Sequence, residues 1–445
     1  MAKAKTLYVC TACGTRSLKW QGQCTDCGAW NSLTESTALP QPRLVGASQV
    51  RRLADIEDSG ERRIKTGISE LDRVLGAGVV PGSVSLVGGD PGIGKSTLML
   101  QALAQLAAQV PALYITGEES AAQVAARARR LGLDPDRLGL LAETRLEYIT
   151  AEAETTQPQA MVVDSIQTVA SSELPSAAGT VSQVRECAQR LVSLAKKQGT
   201  ALFLIGHVTK DGTIAGPRLL EHMVDTVLYF ESELGSRFRI VRAVKNRYGP
   251  VSEIGVFAMT EQGLKEVRNP SAMFLAGRDK TVPGSVVTVA REGSRSLLVE
   301  VQALVDESHA MNPRRVTVGL DQNRLAMLLA ALHRHAGIAM YNQDVFVNVV
   351  GGLRIAETSA DLPTILAACS SFRDKAIAAE TVAFGEVGLS GELRPVSFGE
   401  ERLKEAARHG FRRAIIPAAN APRRAIEGLQ IVAASRLGEA IENTF

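Results

Sequence analysis

Apolar residues in this chain fall into short unbroken runs, separated by longer stretches in which they recur at helical spacing. The runs are Val84-Ser85-Leu86-Val87-Gly88, Ala112-Leu113-Tyr114-Ile115-Thr116, Ala160-Met161-Val162-Val163-Asp164 and Ala201-Leu202-Phe203-Leu204-Ile205-Gly206. A strand with one wet face alternates polar and apolar residues, whereas these runs stay apolar on both faces. Helices are predicted over 97–108, near 119–131 and near 180–198. Buried strands alternating with helices predict an α/β fold around a parallel sheet covered on both sides. Residues 237–244 do alternate and read as a more exposed strand, and 285–305 read as two strands around the turn Glu292-Gly293-Ser294-Arg295. Mixed strands and helices follow to the end.

The flanks differ. Residues 1–33 form a Cys-rich unit holding both tryptophans, Trp20 and Trp30. Residues 34–63 are rich in Ser, Thr, Pro, Gln, Arg and Asp without a sustained period, and read as a linker. The cations from Arg51 to Lys65 fit a solvated charge run or a phosphate-tracking segment equally well. The expected organisation is therefore a four-cysteine module (1–33), a linker (34–63), an α/β core (64–270) and an α+β C-terminal domain (271–445).

Composition adds bounds. A chain of 445 residues, 45% apolar and 22% charged, calls for two or three domains. A net charge of +3 permits a nucleic-acid partner only through a local basic patch. No signal-like segment opens the chain, and no window approaches the ~18 apolar residues of a membrane span. A soluble cytoplasmic protein without membrane association is expected. Cys187 and Cys369 stand alone and read as buried small apolar residues, whereas the other four cysteines are paired.

Gly89-Asp90-Pro91-Gly92-Ile93-Gly94-Lys95-Ser96, followed by Thr97, lies between a predicted strand and a predicted helix. This is the P-loop pattern: glycines let backbone N–H groups face phosphate oxygens, Lys95 reaches the β and γ phosphates, and Ser96 offers a hydroxyl to Mg²⁺. Asp164, at the end of a buried strand, suits the metal's water shell. Glu118 and Glu119 follow the strand ending at Thr116, and either carboxylate could orient the attacking water. A carboxylate favoured by a helix N-terminus is the plainer account of both. The pairs Cys10-x-x-Cys13 and Cys24-x-x-Cys27, ten residues apart, carry ligand spacing for one tetrahedral Zn²⁺. Beside them, Lys19, Trp20 and Trp30 are open to three roles: stacking on DNA bases, packing the small core, or meeting a protein.

Taken together, the four-cysteine module, the P-loop, Tyr114-Ile115-Thr116-Gly117-Glu118-Glu119-Ser120 and Lys245-Asn246-Arg247-Tyr248-Gly249 resemble the bacterial RadA (Sms) family of recombination and repair proteins. The resemblance spans essentially the whole chain and implies a RecA-like core. Its five-residue signature usually has Phe where this chain has Tyr248. The resemblance implies ATP, Mg²⁺ and Zn²⁺ as cofactors, Glu118 as the activating glutamate, and Lys245 near a subunit boundary where it acts on a neighbour's nucleotide. Arg247 is implied to assist DNA-dependent activity. By composition alone the same five residues are a basic turn after a strand.

Residues 206–218 are rich in glycine, hydroxyls and cations, and correspond to the DNA-binding loop of RecA-like folds. Lys210 and Arg218 are the phosphate-gripping candidates there, and His207 is a γ-phosphate sensor candidate. Residues 171–183 are a second candidate loop. Farther on, Thr358-Ser359-Ala360-Asp361 and residues 385–396 resemble the Lon proteolytic domain, whose Ser–Lys dyad activates a serine. Ser359 holds the nucleophile position, but the lysine position is Glu400 and Lys404 lies one helical turn away, so a scaffold is expected. The combined expectation is a homo-oligomeric, hexameric ring that hydrolyses ATP while moving on single-stranded DNA. It would process branched intermediates beside RecA. An ATP-dependent protease and a nucleotide-switched loader are the alternatives.

Overall fold

The computed structural model describes residues 6–17, 19–37, 62–134, 136–206, 217–232, 237–275, 277, 282–309 and 312–445. The described residues up to Glu266 form one compact unit, and those from Val267 onward form a second.

Within the first unit a nine-stranded sheet runs in the order Gly263–Glu266, Ile254–Thr260, Phe238–Asn246, Thr226–Glu231, Val84–Gly88, Ala201–Ile205, Ala160–Asp164, Ala112–Thr116, Leu138–Ala142. From Thr226–Glu231 to Leu138–Ala142 every neighbouring pair is parallel, and the remaining strands are antiparallel. The continuous apolar runs are explained by two cores. Tyr114, Val162 and Phe203 face one buried cluster, while Leu113, Ile115, Met161, Val163 and Leu204 face the other. Fully burying one such side chain stabilises by roughly 1.5–3 kcal/mol.

The predicted helices stand within two residues of their expected bounds, and capping chemistry explains the differences. Ala121–Arg130 starts after Ser120, whose side chain forms a capping box with Gln123. Val181–Gln198 buries Val184, Cys187, Ala188, Leu191, Leu194 and Ala195, and ends where Gly199 turns left-handed. Two elements carry no clear pattern in the sequence: the edge strand Leu138–Ala142, which is partly exposed on both faces, and the helix Leu146–Thr156.

The N-terminal residues form a small sheet in the order Arg16–Ser17, Thr6–Cys10, Leu33–Thr37. Among the described residues its buried cluster is Cys10, Cys24 and Leu33, with Tyr8 and Cys13 packed against it.

The second unit has a seven-stranded sheet in the order Arg315–Val318, Gln343–Val349, Arg295–Glu307, Ser285–Glu292, Thr381–Ala383, Arg413–Pro417, Gln430–Ala434. The expected hairpin is present: Glu292 pairs with Arg295, and Gly293 turns the chain at φ 57°. Apolar clusters cover both faces of this sheet, with the buried helix Asp361–Phe372 contributing Leu362, Ile365, Leu366 and Cys369 to one of them.

Candidate functional site

Strand register brings the separate motifs to one edge. Val87 pairs with Ile205, Ile205 with Asp164, and Asp164 with Thr116, so one row of residues ends four parallel strands. Just beyond that row the chain emerges as the Gly89–Ser96 loop, Gly206, Ser165 and Gly117-Glu118. Ligands of open α/β sheets bind in this crevice, outside the carboxyl ends of the strands.

The loop cannot carry side chains at its tight points. A Cβ on Gly89 would lie 2.8 Å from the Phe230 Cβ, and φ there is +145°. The helix Lys95–Ala107 follows with Gly94 as its N-cap and no side-chain cap, leaving first-turn N–H groups for a ligand. Its apolar face, Leu98, Met99, Ala102, Leu103 and Leu106, is buried and anchors the loop. Ile93 is buried too, and Arg239 Nε donates to its carbonyl at 3.1 Å, a brace that sequence reasoning missed.

Lys95 is only 3% exposed, and its Nζ donates to the Gly89 and Asp90 carbonyls at 2.7 and 2.9 Å. Burial pulls its pKa down, while the Asp164, Glu118 and Asp90 carboxylates act in the opposite direction. Asp164 itself is buried, and its Oδ2 accepts a hydrogen bond from the Tyr114 hydroxyl at 2.6 Å. Its Oδ1 is buried without a hydrogen-bond partner among the described residues. Buried polar atoms are rarely left in that condition without a ligand to meet them. A carboxylate oxygen so placed fits a hard divalent cation such as Mg²⁺, with Ser96, in the first turn of the helix Lys95–Ala107, as the second candidate ligand.

The two glutamates separate cleanly. Glu119 is ion-paired with Arg127 on the following helix, and its backbone N–H bonds to the Thr116 hydroxyl. Glu118 instead accepts from the Ser165 hydroxyl, next to Asp164. Only Glu118 is held toward the P-loop lysine's surroundings.

The Lys245–Gly249 segment has contacts within its own chain. Lys245 Nζ donates to the Glu221 and Val224 carbonyls at 2.6 and 2.7 Å, gripping the end of the helix Pro217–Met223. Burial and the neighbouring Arg247 lower its pKa. Arg247 pairs with the buried Asp225 at 3.1 Å, and Asp225 also accepts from the Val84 N–H. The Tyr248 carbonyl accepts from Arg63 at 2.7 Å. His207 and Lys210 lie outside the described residues; Arg218 is described only as backbone, in the first turn of the Pro217–Met223 helix.

In the N-terminal module the four cysteine sulfurs all lie within 4.8 Å of one another. Cys10 and Cys27 Sγ are 3.6 Å apart, and Cys13 and Cys24 Sγ are 3.5 Å apart. Four thiolates at ~2.3 Å from one tetrahedral Zn²⁺ would sit about 3.8 Å from each other, so the set fits zinc. Each knuckle closes through a glycine, with Gly14 N–H donating to Cys10 and Gly28 N–H to Cys24. Trp20 and Trp30 are 56% and 72% exposed, which overturns the option that they pack the small core.

At the Lon-like position Ser359 is fully buried, and its hydroxyl donates to Glu357 at 2.6 Å. Glu357 is held by Arg402 at 2.6 Å, and that guanidinium is itself buried. Burial opposes ionisation of Glu357, yet Arg402 overcomes it and holds the carboxyl below its usual range. Glu400, at the lysine position, is exposed and paired with Lys404 at 2.7 Å. The group the Ser359 hydroxyl meets is a carboxylate that Arg402 keeps weakly basic, not the lysine amine of the Lon dyad. Glu357→Ala should therefore cost about 3 kcal/mol, read as a lower urea midpoint, because it strands a buried arginine.

No helix among the described residues is long and apolar enough to cross a membrane. Comparison with known proteins matches three segments of the chain to family profiles. Residues 8–35 match a rubredoxin metal-binding domain, 49–213 an AAA domain, and 301–420 the ChlI subunit of Mg-chelatase. Proteins named DNA repair protein RadA are 58% identical in Pseudomonas aeruginosa, over 100% of both chains, and 54% identical in Escherichia coli, over 99% of both. The Bacillus subtilis protein of that name is 48% identical over 100% of this chain and 99% of its own. The chain thus carries an ATPase domain that takes ATP and Mg²⁺, a four-cysteine zinc module and a Lon-like C-terminal domain. With identity of this level over its full length, it belongs to the DNA repair protein RadA family.

Proposed function

We propose that this chain acts in DNA repair as a DNA-stimulated ATP hydrolase, moving along single-stranded DNA and processing branched recombination intermediates beside RecA. The working form is a homo-oligomeric ring, a hexamer, in the cytoplasm. The observation that carries the reading is the meeting of Lys95, Asp164 and Glu118 at one sheet edge, on a chain of the RadA family.

The P-loop N–H groups and Lys95 bind the β and γ phosphates. Ser96 and Asp164 would hold Mg²⁺, which would supply positive charge against the negative charge that develops on phosphate. Glu118 orients the attacking water, with Ser165 holding its carboxylate in place. His207 follows the strand that ends between the P-loop strand and Asp164, which suits a γ-phosphate sensor. Lys210, Arg218 and Arg247 supply phosphate contacts to DNA.

Lys245 links the two sites. Its grip on the helix after residues 207–216 supports transmission of nucleotide state to the DNA loop, in addition to a contact with a neighbour's nucleotide. Lys245→Ala is expected to retain ATP binding and lose DNA stimulation of turnover. Equal stimulation of the variant and the parent chain would refute this.

The test of the whole reading is the ATPase rate with single-stranded DNA, with casein, and with neither, followed by strand displacement on a forked substrate. Stimulation by DNA and unwinding support the motor. Stimulation without unwinding selects a nucleotide-switched loader. Casein cleavage is not expected, since the Ser359 hydroxyl is buried against Glu357.

A further inference from the structure

Tyr114 is the one polar side chain of the Ala112–Thr116 strand that points into the apolar cluster around Val162 and Phe203. Tyr114 pairs in register with Val162, and Thr116 with Asp164. Side chains two apart on a strand share a face, so Tyr114 and Asp164 are diagonal neighbours on one side of the sheet. Their contact is a 2.6 Å bond from the phenol to Oδ2, and both residues are buried.

A carboxylate rotates readily about its last bond and presents either oxygen. Here one oxygen is occupied from inside the sheet, while the other is buried and unpartnered among the described residues. A phenol is a hydrogen-bond donor at neutral pH, and this one has a carboxylate oxygen as its acceptor. Packing locks the ring, because its exposure is zero.

We propose that Tyr114 is the positioning residue of the magnesium site: its hydroxyl pins Asp164 so that Oδ1 faces the metal's water shell. This rests on the reading of Asp164 as the residue that holds Mg²⁺. Tyr114 touches neither nucleotide nor metal; it acts through Asp164. A pre-oriented ligand costs less to order on metal binding, which is where the gain arises.

The test is equilibrium binding of a fluorescent ADP derivative to the full chain, in excess Mg²⁺ and in EDTA. The variants are Tyr114→Phe and Asp164→Asn, with thermal unfolding of each as a control. Tyr114→Phe keeps the ring, so its affinity in EDTA should equal that of the parent chain. The Mg²⁺-dependent tightening should shrink by about tenfold, the loss of one charge-assisted hydrogen bond. The Mg²⁺ concentration for half-maximal ATP turnover should rise by a similar factor.

Equal weakening in Mg²⁺ and EDTA would make Tyr114 a purely structural residue and overturn the inference. So would unchanged Mg²⁺ dependence in Tyr114→Phe while Asp164→Asn loses the tightening. Full tightening in Asp164→Asn would remove the underlying assignment of the metal site, and the inference with it.

Discussion

Lys95→Ala is expected to abolish ATP turnover while leaving the chain folded. The ammonium is 3% exposed and lies among the Asp164, Glu118 and Asp90 carboxylates, so its charge acts in a poorly screened site. At rest it bonds two loop carbonyls, Gly89 and Asp90. Bound phosphate supplies stronger, charged acceptors, and the same ammonium then balances the charge that grows on the leaving phosphate. Removing one preorganised neutral donor from such a site already costs ~10²–10³ in kcat, and a buried cation exceeds that. We expect a fall of at least about 10³-fold in kcat, with and without single-stranded DNA. Fold loss is not the cause, since the helix Lys95–Ala107 is anchored by Leu98, Leu103 and Leu106. Circular dichroism and steady-state phosphate release on the same preparation separate these two effects. Residual DNA-stimulated turnover within tenfold of the parent would place the phosphate site elsewhere.

Loss of zinc is expected to unfold residues 6–37. The apolar cluster of that module is Cys10, Cys24 and Leu33, and two of those three are metal ligands. So small a core cannot offset the entropy of ordering some 30 residues at ~1–2 kcal/mol each. Structural zinc contributes ~10–16 kcal/mol in modules of this size, and here it is the main source of stability. Cys24→Ser removes a ligand that is 2% exposed and should release the metal. The expected readouts are one zinc lost per chain, rapid proteolysis within residues 6–37, and a change in fluorescence of Trp20 and Trp30. Nucleotide binding at the P-loop should survive, because that loop is anchored in its own cores. A Cys24→Ser chain that resists proteolysis after chelation would show that the sheet stands without metal.

Much of the ATPase core was legible because burial on both faces leaves a local signature. The strands at 84–88, 112–116, 160–164 and 201–205 are short, mostly apolar runs, and their length separates them from buried helix segments. The strand Leu138–Ala142 was not legible, since an edge position leaves it half wet and its glycine and leucines show no period. Helix bounds drifted by a residue or two, as at Ser120, where a cap set the start, while the end before Gly199 fell as expected. For the Lon-like domain, the substitution of Glu400 for lysine was readable. The contacts that enclose Ser359 were not: Glu357 and Arg402 are 45 residues apart in the chain and meet only in the fold.

The sequence by itself determined the phosphate loop, the four-thiolate set and the alternation of buried strands with helices. Each of these is a local pattern, set by spacing along the backbone and by which residues can leave water. Only the tertiary structure decided which strand lies beside which. That order set Tyr114 against Asp164, separated Glu118 from Glu119 through Ser165 and Arg127, tied Lys245 to the helix before it, and left Trp20 and Trp30 in water. Apart from Glu119–Arg127, eight residues apart, these contacts join residues far apart in the chain. Their partners are chosen by the packing of whole elements, and no local period encodes that.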